Sequence, residues 1–180
     1  LTLRFAPDGA SLRLTVPRRT RRATVLDFLD RHRAWMRERA ARAPSDARVA
    51  DGTLLPVAGR LVAVRHDPAA RRIAQLGEGE APTLVVGGPA EGVGRRVEEF
   101  LRREAKRELE AAVARHAATV GLAPAALTLR DTRSRWGSCT ADRRLSFSFR
   151  IAMAPPFALD YLAAHEVAHF REMNHGPDFW

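Results

Sequence analysis

Apolar and polar positions alternate over the first sixteen residues. Leu1, Leu3 and Phe5 take every second place, as do Leu12, Leu14 and Val16, and Pro7-Asp8-Gly9 between them is turn chemistry. The pattern predicts a hairpin over 1–16, ended by Pro17. From about Thr24 the period becomes helical. Val25, Phe28, Leu29, His32 and Trp35 make one stripe, Thr24 and Asp27 form a capping-box-like pair, and Pro44 ends the run. His32 lies on that stripe and reads as a packed residue. From Val49 to Gly94 short β-prone runs at 54–57, 61–64 and 83–86 stand among glycines and prolines. Gly87-Gly88 and Gly92-Val93-Gly94 read as turns; they lack the spacing and the Lys-Ser/Thr of a phosphate loop.

The second half is more regular. Arg95 to Val120 reads as one amphipathic helix, with Val97, Leu101, Ala105, Leu109 and Val113 on its core face, i,i+4 Arg–Glu pairs opposite, and Gly121 as its stop. His116 falls on or near the apolar face and reads as structural. Residues 127–130 form a strand candidate, and Leu145 to Arg150 alternates strictly, with Leu, Phe, Phe on one face and Ser, Ser, Arg on the other. That strand is either an ordinary half-buried one or the rim of a cleft able to hold an extended peptide by strand addition. Pro155-Pro156 opens a last helix. Leu159, Ala163, Val167 and Phe170 give it a buried stripe, while Tyr161, His165 and His169 form a second, chemical one.

That second stripe belongs to His165-Glu166-Val167-Ala168-His169, with His175 ten residues after the first histidine. Histidines four apart lie one turn apart on one helix face and can reach one metal ion. Glu166 projects about 100° round the helix from His165, beside the place a metal-bound water would take. This is the H-E-x-x-H pattern of zinc hydrolases. Three fixed residues occur by chance about once in 8,000 windows, so the added His175 makes accident a poor explanation. Three protein ligands plus water define a catalytic zinc site. Asn174 and Gly176 suit the turn that must return His175 to the metal. In the chemistry this predicts, Zn2+ lowers the pKa of its water toward ~7. Glu166 takes the proton and later delivers it to the leaving group. Arg135, Tyr161 and the Trp136–Ser138 loop are the candidates for holding the developing oxyanion or the substrate.

Composition changes this picture little. A chain of 180 residues is one domain, or one with a smaller appendage. No run approaches the ~18 uninterrupted apolar residues of a membrane helix, and no signal segment opens the chain, so no membrane partner is expected. The chain begins at Leu1 without a methionine, so a short leader could precede it. Cys139 is the only cysteine, which fits a reducing, cytoplasmic setting; a small buried hydrophobe is its expected role, a thiolate metal ligand the alternative. The net charge is +9, and Lys106 is the only lysine among 30 basic residues. Either a polyanion such as nucleic acid is a partner, or arginine is simply abundant and spread out.

Arg135-Trp136-Gly137-Ser138-Cys139, Ala154-Pro155-Pro156, Asp160-Tyr161, the H-E-x-x-H pentapeptide and Asn174-His175-Gly176-Pro177-Asp178-Phe179-Trp180 together resemble the YgjP-like zinc metallopeptidases, which are akin to SprT-like and WLM proteases. The match in motifs spans 95–180; the first half resembles the family in layout. The resemblance implies an α+β fold with a zincin-like core: a long helix, a small antiparallel sheet and the H-E-x-x-H helix over 93–180, behind a β-rich region over 1–92. It implies Zn2+ on His165, His169 and His175, Glu166 as water activator, a peptide or protein substrate, and text continuing past Trp180. Ser146-Phe147-Ser148-Phe149 departs from the asparagine-containing text of the family. Two other classes stay open: a metal-dependent nucleotide phosphoanhydride hydrolase, and a DNA-associated protease. A module with a purely structural metal is disfavoured, because such a site has no use for Glu166.

Overall fold

The alternation at the start of the chain does build a hairpin. In the computed structural model, which describes residues 1–5, 12–41, 49–77, 81–132 and 134–180, β1 (Thr2–Phe5) pairs antiparallel with β2 (Leu12–Thr15), Leu3 opposite Leu14. The Pro7-Asp8-Gly9 turn and the Pro44 stop lie outside the described residues. The predicted single helix is two: α1 (Arg22–Arg31) and α2 (Arg33–Ala41), separated at His32. His32 Nδ1 donates back to the Phe28 carbonyl at 2.8 Å. Thr24 lies inside α1, whose N-cap is Arg21, so Thr24 and Asp27 are no capping box. Val25, Phe28, Leu29 and His32 of the predicted stripe are half-buried, but Trp35, its last member, is exposed.

The chain divides into two compact units, Leu1–Arg48 and Val49–Trp180. The physical reason is a shared core. Strands β3 (Leu54–Val57), β4 (Arg60–His66), β5 (Gln75–Leu76) and β6 (Thr83–Val86) form a sheet in the order β3-β4-β6-β5, with β4 parallel to β6. Its buried residues Val62, Val64, Leu84 and Val86 join one apolar cluster with Val97, Leu101, Ala105 and Leu109 of α3 (Val93–Val120). Each such side chain contributes roughly 1.5–3 kcal/mol on burial, so neither layer keeps its core alone. A 3-10 turn at Ala90–Gly92 leads straight into α3, which makes Val93 and Gly94 helical rather than part of a turn. Gly121, at φ +69°, ends the helix as expected, with Leu122 N donating to the Ala117 carbonyl at 3.2 Å.

A second sheet follows: β7 (Ala126–Arg130), β8 (Gly137–Cys139) and β9 (Arg144–Ser148), in the order β7-β9-β8. It is mixed, not antiparallel throughout, because β7 runs parallel to β9. Leu145 and Phe147 face the core, as their alternation requires, but Phe149 and Arg150 leave the strand for a 3-10 turn at Phe149–Met153. β9 is the central strand and has no free edge for a peptide; among the described residues the edge strand on the side of the last helix is β8. The last helix, α4 (Pro156–Ala168), carries Pro156 in its first turn and buries Leu159, Ala163 and Val167. No helix among the described residues is long and apolar enough to cross a membrane. The architecture mixes helices with small sheets and is compatible with an α+β class.

Candidate metal centre

Three ties fix the position of α4. The tip of the β3–β4 hairpin clamps the segment before it: Ala58 N donates to the Ala152 carbonyl at 2.8 Å and Gly59 N to that of Met153 at 3.2 Å. Gly59 sits at φ +77°, and a Cβ there would lie 3.0 Å from Pro155 Cα, so this approach requires glycine. Along the helix, Asp160 accepts from Arg115 at 2.8 Å and from His116 at 3.0 Å, tying α4 to α3. These partners hold the Asp160 carboxyl below the usual carboxylate range, the His116 hydrogen bond being the largest cause and the Arg115 bond the next. After the helix, Arg171 donates to the Val120 carbonyl at 2.5 Å.

That last anchor holds the turn by which the chain comes back on itself. His165 lies in the last turn of α4, His169 at its C-cap, and His175 beyond. Their ligating nitrogens all lie within 4.8 Å of one another. His165 Nε2 and His175 Nε2 face each other at 3.0 Å, a separation two neutral imidazole nitrogens hold only with a proton or a cation between them. His169 Nδ1 donates to the Glu172 carbonyl at 2.9 Å. A carbonyl can only accept, so this bond places the proton on Nδ1 and leaves Nε2 as the lone-pair donor. Burial, then the charges of His169 and His175, lower the His165 pKa, which favours the neutral, ligating form. Tetrahedral ligands at ~2.0–2.1 Å stand ~3.3 Å apart, so the triad closes on one ion with side-chain shifts of about an ångström. The donor set fits a borderline-soft divalent metal.

Glu166 is 5% exposed and lies between α4 and β8. A Cβ on Gly137 would stand 2.4 Å from Glu166 Oε1, so the carboxylate occupies the space a side chain there would fill. Burial raises its pKa; the charges of His169 and Arg135 oppose that shift. A carboxylate held off water beside three histidines suits proton transfer. The four other candidates separate. Tyr161 is exposed, with its ring 6.1 Å from that of His165, on the same helix face. Arg135 is exposed, and its charge reaches Glu166. Trp136 is exposed, its carbonyl taking the Ser148 N–H at 2.8 Å. Ser138 pairs with Ser146 and lines a groove on the opposite sheet face, away from Glu166. The structure therefore gathers the histidines, Glu166 and Tyr161, while Arg135 lines the same groove as Ser138.

Cys139 is half-buried, donates to the Thr140 carbonyl at 3.3 Å, and burial pushes its thiol up to about 11, with Glu166 and Asp142 adding to the shift. A protonated thiol is not a ready metal ligand. Two features escaped the sequence reading. Gly137 makes room for Glu166, hinted at only by a glycine within the Arg135–Cys139 motif. Phe179 packs on the triad, its ring 4.7 Å from those of both His169 and His175. An aromatic residue four positions past His175 was its only signal.

Comparison with curated proteins and with solved structures found no match. A protein-family model does match, over residues 1–180, and its description is YgjP-like, metallopeptidase domain. A family of metallopeptidases uses a metal ion, and the three histidines offer a place for one. With the whole chain covered and a metal-competent triad in its last helix and the following turn, the chain belongs to the YgjP-like family of metallopeptidase domains.

Proposed function

We propose that this chain is a zinc-dependent peptidase, with His165, His169 and His175 as the metal ligands and Glu166 as the general base. The observation that carries the reading is the buried Glu166 carboxylate, lodged against Gly137 beside three converging histidines. When bound, zinc supplies Lewis acidity and brings the pKa of a coordinated water near neutrality. Glu166 holds a water by its carboxylate, takes a proton from it as the water attacks the carbonyl carbon, and passes that proton to the leaving amine. The raised pKa brings this carboxyl closer to the working pH, which improves it as a proton carrier. Tyr161, exposed on the same helix face as His165, is the residue proposed to donate to the oxygen where charge develops.

β8 offers the substrate a track. It is an edge strand whose Gly137 touches Glu166, so an extended peptide that added to it would run past the carboxylate. This favours a peptide over a phosphoanhydride as substrate, in keeping with the description of the family. The test is Glu166→Gln in the zinc-loaded protein. Metal content and fold are expected to stay, while hydrolysis of a peptide library falls by about 10²–10⁴. Peptide hydrolysis unchanged in that variant would remove Glu166 from the mechanism.

A further inference from the structure

The outward face of the second sheet carries an arrangement that the metal centre does not use. Across its three strands, Thr128, Ser146 and Ser138 stand in register, Thr128 opposite Ser146 and Ser146 opposite Ser138. They line a groove of about 460 Å³ whose other polar walls include Arg130, Arg135 and Arg144. Among the described residues no carboxylate and no aromatic ring lines it. In a chain this rich in arginine, exposed arginines are ordinary, and on α3 they are met by acids: Arg95 by Glu99, Arg102 by Glu98, Arg107 by Glu104. Among the described residues Arg130 has no acidic partner. Arg144 is paired with Asp142, but the pair is exposed, and such pairs are weak enough for a better anion to displace. The Ser138 and Ser146 hydroxyls have no hydrogen-bond partner among the described residues.

Thr128 Oγ1 already donates to the Leu145 carbonyl at 3.2 Å, but guanidinium groups around the free Ser138 and Ser146 hydroxyls match the oxygens of phosphate, which accept many hydrogen bonds and are bound bidentately by arginine. The volume is that of a small-molecule site rather than of a polymer track. The missing aromatic rings leave nothing on which the bases of a single strand could stack. Three cations call for more than one phosphate. We propose that this groove binds a compact oligophosphate, a small molecule carrying two or more linked phosphate groups, at a site separate from the metal centre.

The inference is independent of how the metal centre works. Its test is residue-resolved NMR of the zinc-loaded chain, with inorganic pyrophosphate as the probe and a short single-stranded oligothymidylate as the comparison. The expected result is saturable shifts of the Thr128, Ser138 and Ser146 amide signals with pyrophosphate in the micromolar to millimolar range. Affinity falls by about tenfold or more in Arg130→Ala/Arg144→Ala and is abolished in Arg130→Glu. Both substitutions are at exposed positions, and an unchanged spectrum elsewhere verifies the fold. Shifts confined to the region of His165 and His175, equal affinity in the variants, or binding of the oligonucleotide without binding of pyrophosphate would each overturn the proposal.

Discussion

Gly137 and Glu166 show how far one residue governs another across the site. The carboxylate fills the volume of the absent side chain, so Gly137→Ala forces Glu166 Oε1, 2.4 Å from the new methyl, to move. A displacement of about an ångström at a catalytic group costs up to about a hundredfold in rate. The nearest atoms to that methyl all belong to Glu166 and none to the three histidines. Gly137→Ala is therefore expected to keep zinc stoichiometry while kcat falls by about 10–100-fold, measured by steady-state peptide hydrolysis beside elemental analysis; undiminished kcat would contradict the packing argument. At this scale the H-E-x-x-H pentapeptide was legible because its geometry is local: two histidines one turn apart share a face wherever the helix lies. The role of Gly137 was not legible, because it arises only when β8 is laid against α4. Ser138 lines the groove for a related reason. In a strand, neighbours point to opposite faces, so once Gly137 faces Glu166 its neighbour Ser138 must face away.

Among the elements, α4 is held by side chains from α3 and by backbone from the β3–β4 hairpin. Asp160 is the polar tie to α3, and its lowered pKa gives that tie a pH dependence. For a carboxyl depressed in the folded state, the stability is present above the unfolded pKa of ~3.9 and disappears as pH falls through the lower folded value. Asp160→Asn is therefore expected to lower the thermal midpoint at pH 7 and to make no difference in strong acid. Because Asp160 is nearly half exposed, the loss at pH 7 is only about 1–3 °C. Thermal melts of both proteins across that range check it; an equal loss at every pH would show that Asp160 acts by packing rather than charge. Elements with a long period were read well: α3 and α4 came within a few residues of their bounds. β8 was missed because three residues hold too little periodicity to register. The parallel pairing of β7 with β9 is a long-range choice that no local pattern encodes. The break at His32 replaced one predicted helix by two because the apolar stripe runs unbroken across it.

For the whole molecule, the β-rich residues 49–92 are part of the metallopeptidase unit, since their sheet and α3 bury one core. The same unit carries a metal-competent face and an arginine- and hydroxyl-lined face, and the two are separately testable. The central claim remains that His165, His169 and His175 hold one zinc beside Glu166. Elemental analysis of the wild-type protein and of His175→Ala tests it most directly. One zinc per wild-type chain and a marked loss in a folded His175→Ala are expected. A folded wild type that takes up no zinc, or a variant that holds it equally well, would contradict the account.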